Sequence, residues 1–389
     1  MFFQINFSKD KGGGVSLDRR ILKYLDFNII GVVALLIGIG LLMVFSTTRD
    51  NTALTHGNQF RMVERQLMAV VIGLVVGFFL LFVDYRISDR MSQLLYGLNL
   101  IMLLAVLFVG TESNGAKSWL FGFQPSEFSK IIMIITMGKY LSEKESLSSF
   151  YNFIGPFLFL LPPLALILLQ PDMGTALVFI FFFFTMLYVA GAPGWKLLVI
   201  IFSGILLITI VFLAHHFFGT PMFIKEYQVA RLTSFINPER DPKGSGWNVR
   251  QAVIAVGSGQ FFGKGLFRGS QGRLGYLPEN YTDFIFAVLA EEIGFVGTFI
   301  VLFLYFTLIW RGFRIGFQAK DKTGSVIATG IVSMLLFHIL ENVGMNIGIM
   351  PITGIPLPFL SFGGSAMIAN IVAVSILSNI WARHQKIMF

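Results

Sequence analysis

Runs of 16 to 27 mostly apolar residues recur ten times along this chain, and that recurrence leaves few folds open. They lie at about 27–46, 67–85, 92–110, 127–142, 152–169, 174–190, 195–214, 284–310, 324–346 and 364–382. A helix needs about 20 such residues to cross a bilayer. Inside hydrocarbon every backbone N–H and C=O must be satisfied within the protein, which favours helices here. The chain is therefore expected to be an all-α integral membrane protein of about ten transmembrane helices. It reads as one polytopic domain, 1–389, with a long loop, 215–282, between the seventh and eighth runs. The fourth run is the weakest, because it carries Glu127, Lys130 and Lys139. The first ten residues lack an apolar core and a small-residue cleavage site, so the first run reads as an anchor.

Composition closes the soluble alternative. Charged residues make up 13% of the chain, against roughly 25% in a soluble domain. That is too few to cover a globular surface. Cysteine is absent, which excludes disulfides and thiolate metal sites. The net charge of +8 reads as topogenic, with a contribution to anionic headgroups, and not as a nucleic-acid signal.

Lysine and arginine set the orientation. With an even number of spans both termini share a side, and that side holds 16 Lys and Arg against 5 on the opposite short loops. The remaining 8 fall in the long loop, where the rule does not operate. Both termini are therefore expected in the cytoplasm. The four polar clusters at 114–130, 170–175, 231–283 and 351–365 then face outward. No internal repeat is evident.

Each cluster has a structural and a chemical reading. In 123–130, Pro125 and Ser126 open a helix, with Ser126 as its N-cap. Glu127 and Lys130 stand three apart on one face and can pair. Either they form a local ion pair with Trp119 as an interfacial anchor, or Lys117 and Lys130 bind an anion. Asp172, in Gln170-Pro-Asp-Met-Gly-Thr175, suits a helix cap. Trp247 to Val256 is apolar on one side and too short to span, which fits an interfacial or re-entrant segment. Gly263-Lys-Gly265 invites comparison with a phosphate-binding P-loop, but the match fails: the spacing to Gly259 is one short, and Gly265 stands where Ser or Thr would hold magnesium. Those glycines suit close backbone approach to a phosphate or a plain surface loop. Asp283 opens the eighth run, and a carboxylate at that boundary points to chemistry at a membrane surface. Glu291 and Glu292 follow about 12 Å further along the helix; these, Glu341 and Asn342 fit helix–helix hydrogen bonding or a wet cavity. Pro351 to Ser365 is broken by prolines and glycines. Adjacent His215 and His216 lack partners for a metal site.

Taken in order, Gly115-Ala-Lys-Ser-Trp119, Phe123-Gln-Pro-Ser-Glu127, Gln170-Pro-Asp-Met-Gly-Thr175, the Asp241 to Gly259 loop, Pro278-Glu-x-x-Thr-Asp-Phe-Ile-Phe286 and Pro351 to Ser365 closely resemble the SEDS family (shape, elongation, division and sporulation). The resemblance covers nearly the whole chain. Asn237-Pro-Glu239, Gly263-Lys-Gly265 and Asn342-Val-Gly-Met345 resemble its elongation branch more than its division branch. It implies a ten-span peptidoglycan glycosyltransferase of the bacterial cytoplasmic membrane, with an extracytoplasmic site. The implied substrates are lipid II and a glycan on undecaprenyl pyrophosphate, and the implied partner is a class B penicillin-binding protein. By motif position Asp283 is the catalytic carboxylate. Lys117, Trp119, Glu127, Lys130, Asp172, Arg231, Glu279, Ser361 and Ser365 are the expected substrate-binding residues. A divalent cation, magnesium or manganese, is compatible with the pyrophosphate; no dedicated metal site and no nucleic-acid partner are expected. The chain departs from the family pattern at Tyr281, where His is usual, and at Phe362, where Tyr is usual. A lipid II flippase, a division-type polymerase and a non-catalytic scaffold are the alternatives.

Overall fold

The computed structural model describes residues 24–113, 116–120, 122–218, 244–273 and 275–384, with single residues at 235, 237, 239 and 241 and short strand pairs at 8–9 and 15–16. All ten apolar runs are helices: α1 Phe27–Thr48, α2 Arg61–Phe82, α3 Asp89–Val109, α4 Pro125–Ser142, α5 Ile154–Leu169, α6 Met173–Val189, α7 Gly194–Phe218, then α9 Ile285–Gln318, α10 Lys322–Asn346 and α11 Gly364–His384. Between α7 and α9 lies α8, Ser245–Ser258. Among the described residues, eight helices are long and apolar enough to cross a membrane. The runs that fall short are α6, with 17 residues, and the charged α4; α5 qualifies together with the 3-10 turn Phe150–Phe153 that leads into it, 20 residues in all.

Most helix ends fall within a few residues of the sequence expectation. α2 begins six residues early because Arg61, Glu64, Arg65 and Gln66 favour helix despite their polarity. The starts carry caps. Asp26 accepts from the Asn28 and Ile29 amides at 3.0 and 3.4 Å, and Asp321 accepts from the Gly324 amide at 2.8 Å. For α4 the expectation needs correcting: Gln124 is the N-cap position and Pro125 the first helical residue, while the buried Ser126 hydroxyl caps nothing. Proline suits that place because the first-turn amide would be unpaired anyway.

Burial sorts the helices into a centre and a rim. In their most apolar windows, α11 is 83% buried inside the protein and α10 is 72%, whereas α7 is 6%. α11 lies along α2, where Gly73 and Gly77 admit it; a Cβ at Gly77 would stand 2.2 Å from the Ser375 hydroxyl. Large apolar side chains exposed on α7, such as Phe202 and Ile208, form a lipid-facing surface. α8 buries Val249, Ala252 and Ala255 and leaves Val253 and Ile254 exposed, as an interfacial segment should.

α9 is 34 residues long, or about 51 Å, well beyond a hydrocarbon core of about 30 Å. It is not continuous. Gly294 has φ 66 and ψ −169, so a short helix, 285–293, meets a span, 295–318, at a sharp break. The segment between α10 and α11 is irregular, as its prolines and glycines require, and largely buried. Three of its carbonyls accept from side chains of the surrounding helices. Tyr305 donates to Pro358 at 2.6 Å, Asn342 to Ile355 at 2.8 Å and Gln66 to Ser361 at 3.0 Å. Irregular backbone between membrane spans is tolerated where it is buried in protein or lines a cavity.

Candidate active site

Three of the four polar clusters converge where α4, α6 and α10 meet the 351–363 segment. Gln124, Glu127, Lys130, Asp172, Thr175 and His338 line a cavity of about 50 Å³, closed by Gly354, Ile355 and Pro356. Lys130 donates to the Glu127 carboxylate at 2.8 Å, and its Nζ lies 3.1 Å from His338 Nε2. All three residues are at most 3% exposed. An ammonium facing Nε2 requires the imidazole to accept there, with its proton on Nδ1. Asp172 caps α6, accepting from the Thr175 amide at 3.0 Å and the Thr175 hydroxyl at 2.8 Å. The cap and the cavity wall are the same carboxylate, so the structural and chemical readings of Asp172 do not exclude each other.

Asp283 is half-buried just before α9. Its amide donates to the Glu279 carbonyl at 3.1 Å, and its own carbonyl accepts from Asn342 at 2.9 Å and Asn346 at 3.1 Å. Its carboxylate lies against Gly354, where a Cβ would stand 3.4 Å from Oδ2. Gly354 is also a wall of the cavity and has φ 75, a backbone conformation that a side chain there would strain. Thus the carboxylate and the buried lysine flank one wall. Burial raises the Tyr281 phenol above its ordinary range, and the neighbouring Glu279 and Asp283 carboxylates raise it further.

The other expected residues shape the surrounding backbone. Glu279 has φ 52; its carbonyl accepts from three amides, and its carboxylate accepts from the Thr282 hydroxyl at 3.1 Å. Ser361 donates to the Thr282 carbonyl at 2.6 Å and accepts from the Leu357 amide. The Ser365 hydroxyl accepts from the Gln124 amide at 3.0 Å, joining the starts of α11 and α4 beside the cavity. Trp119 ends a hairpin of Thr111–Ser113 with Ala116–Trp119 and does not line the cavity. Lys117 stands opposite Glu112 in that hairpin, but its side chain lies outside the described set, as does Arg231 entirely.

The model of the cell cycle protein family of FtsW, RodA and SpoVE matches residues 26–386. This chain belongs to that family. The chain is 38% identical to stage V sporulation protein E of Bacillus subtilis over 91% of its length and 96% of the relative's. It is 35% identical to the peptidoglycan glycosyltransferase MrdB of Escherichia coli, covering 85% of this chain and 88% of MrdB. Among solved structures, a chain of a peptidoglycan synthase complex that coordinates polymerization and crosslinking superposes with a TM-score of 0.74 at 29% identity, over 93% of this chain and 99% of that one. RodA of Thermus thermophilus gives 0.67 at 29% identity, over 93% and 98%. The chain is an integral membrane protein of the FtsW/RodA/SpoVE fold.

The two departures from the family pattern touch each other. The Tyr281 and Phe362 rings lie 5.8 Å apart, edge to face, and the Phe362 amide donates to the Tyr281 carbonyl at 2.9 Å. The hydroxyl of this pair is on residue 281, near Glu279. Sequence reading passed over His338. The signal was a titratable side chain three residues before Glu341 in an otherwise apolar run.

Proposed function

We propose that this chain is a peptidoglycan glycosyltransferase that polymerises lipid II, with Asp283 as general base. The observation that carries the reading is the half-buried Asp283 carboxylate set against Gly354, which walls the cavity that the buried Lys130 also lines. The acceptor 4-hydroxyl oxygen attacks the anomeric carbon of the donor sugar. The bond from that carbon to the pyrophosphate oxygen breaks, and the hydroxyl proton passes to Asp283. One displacement turns an alpha linkage into a beta one without a covalent intermediate. Pyrophosphate leaves readily once its developing charge meets a cation, and Lys130 is the group placed for that, with Lys117 and Arg231 as further members of the clamp. Glu127 and His338 keep the ammonium oriented.

A cavity of about 50 Å³ holds a few waters and not a sugar pyrophosphate. Substrate entry therefore parts its walls. Among the described residues no three His, Asp or Glu side chains converge as metal ligands. A divalent cation in this reaction would arrive with the substrate phosphates, as magnesium commonly does.

In this reading both termini lie in the cytoplasm and the reaction outside, and the Lys and Arg asymmetry of the loops supports it. The partner is a class B penicillin-binding protein, consistent with the synthase complex whose chain this one resembles. Relatives include both the sporulation protein at 38% and the peptidoglycan glycosyltransferase RodA of Treponema pallidum at 33%, so the elongation role rests on residues 237–239, 263–265 and 342–345.

The test is polymerisation of purified lipid II. Wild type is expected to make glycan strands and Asp283→Asn to lose about 10²–10⁴-fold in turnover. Full activity in Asp283→Asn removes the base; translocation without strands would make the protein a flippase, and neither activity a scaffold.

A further inference from the structure

The break at Gly294 removes the two helical hydrogen bonds from residues 295 and 296 back to 291 and 292. The loop that follows α8 replaces them with four. The Phe295 amide donates to the Gln260 carbonyl at 2.8 Å and the Val296 amide to Phe261 at 3.1 Å. The Lys264 and Gly265 amides donate to the Glu291 and Glu292 carbonyls, both at 3.0 Å. The fit allows no side chain, since a Cβ at Gly263 would stand 2.1 Å from the Glu292 carbonyl oxygen and one at Gly294 would stand 2.2 Å from the Gly263 amide. Gln260 and Phe267 are held at φ 51 and 66. Such strain persists only where the surroundings over-determine it.

Side chains lock the splice. Glu291, fully buried, accepts from Lys264 Nζ at 2.6 Å, from the Ser270 amide and hydroxyl at 2.8 Å each, and from the Gln271 amide at 3.2 Å. Glu292 accepts from the Ser46 hydroxyl of α1 at 2.5 Å and from the Phe267 amide at 3.1 Å. The short helix between, 285–293, is about 13 Å long, and residues 285–292 are each at most 4% exposed. Its other end is tied to α10, where Asn346 accepts from the Ala287 amide and donates to the Asp283 carbonyl. It is a rod clamped at both ends and free of helical continuity with the span below.

We propose that the Gly-Lys-Gly loop is a positioning device for Asp283, with Lys264 as its chief positioning residue. Lys264 fixes the depth and aim of the rod by holding Glu291, some 12 Å from the carboxylate it serves. It touches no reacting atom. The inference rests on Asp283 being the base. The motif that resembled a P-loop thus uses its amides to cap a severed helix instead of a phosphate.

The test uses the full-length protein with lipid II, in Lys264→Met, Lys264→Arg and Asp283→Asn. Lys264→Met is expected to lower kcat about tenfold or more, as small misplacements do, with KM within twofold of wild type. Lys264→Arg should restore most of the loss. Hydrogen exchange in Lys264→Met should quicken across residues 285–292 while α10 and α11 remain protected. Unchanged exchange across 285–292 overturns the clamp whatever the activity, and an unchanged kcat overturns its positioning role. General loss of protection across the helices also overturns it, because Lys264 would then be a stability residue. Full activity in Asp283→Asn, with quickened exchange in Lys264→Met, sinks the base assignment and leaves the clamp standing as structure alone.

Discussion

α10 carries an ionic cluster near each end, and the two are built on opposite terms. Toward the end where α1 begins and α11 finishes, Asp321 accepts from Tyr85 at 2.7 Å and Arg86 at 2.8 Å. Lys139 pairs nearby with Asp89 at 3.0 Å and with Glu143. Arg86, Lys139 and Asp321 border a hollow of about 340 Å³ and stay partly wet; the Arg86 side chain is 44% exposed and that of Asp321 30%. Toward the other end, Glu127, Lys130 and His338 surround about 50 Å³ and are almost wholly dry. The wet cluster fastens a linker to a helix cap, and water shares the load if a partner is lost. The dry one has no such relief. Removing one member leaves a charge in low dielectric, which is why a buried pair is weak evidence for stability and better evidence for a use.

The contrast breaks most sharply at Lys130. Lys130→Met strands Glu127 and is expected to destabilise the protein by about 3–5 kcal/mol, read as a fall in melting temperature in detergent, and to abolish strand synthesis. The double variant Lys130→Met with Glu127→Gln should regain most of that stability and none of the activity. Recovery of both would make the pair purely structural. At the wet end, Asp321→Ala loses a cap and two side-chain bonds and should cost about 1–2 kcal/mol, with polymerisation within twofold of wild type. A loss of activity as large as that of Lys130→Met would erase the distinction.

The smallest effect is in pH. Burial, helped by the Asp321 hydrogen bond, pushes the Tyr85 phenol up to about 12. Its folded pKa exceeds the unfolded value of about 10, so the stability it contributes is complete below pH 10 and lost as pH rises through 12. Tyr85→Phe should flatten the stability profile over that window; an unchanged slope would mean that Tyr85 does not report this end. Asp321 has the opposite sign. Burial raises its carboxyl, but bonds from Gly324, Tyr85 and Arg86 outweigh that and hold it low, so its contribution persists above the usual carboxylate range and fades only in strong acid.

Much of this was legible in the chain. Apolar runs of bilayer length marked the helices, because lipid leaves the backbone no other partner. The i, i+3 spacing of Glu127 and Lys130 gave their pairing, and Asp172 its cap. What could not be read was set by contacts distant in sequence. Glycine is common in membrane helices, so Gly294 carried no break signal; the bonds that permit the break come from residues 27 to 35 positions earlier. Glu291 and Glu292 looked like helix–helix glue, yet only the Ser46 contact is of that kind, and the loop holds the rest. His338 was readable in principle, as a polar intruder in an apolar run. That it meets Lys130 depends on how α4 and α10 cross.

The discontinuity at Gly294 separates two adjustments that one straight helix would have coupled. Residues 295–318 are long enough to lean as the bilayer thickens or thins, and a rigid extension would swing with them. Severed and re-anchored, the upper piece takes its bearing from α10 and from the loop that bridges the break, and not from helical continuity with the span.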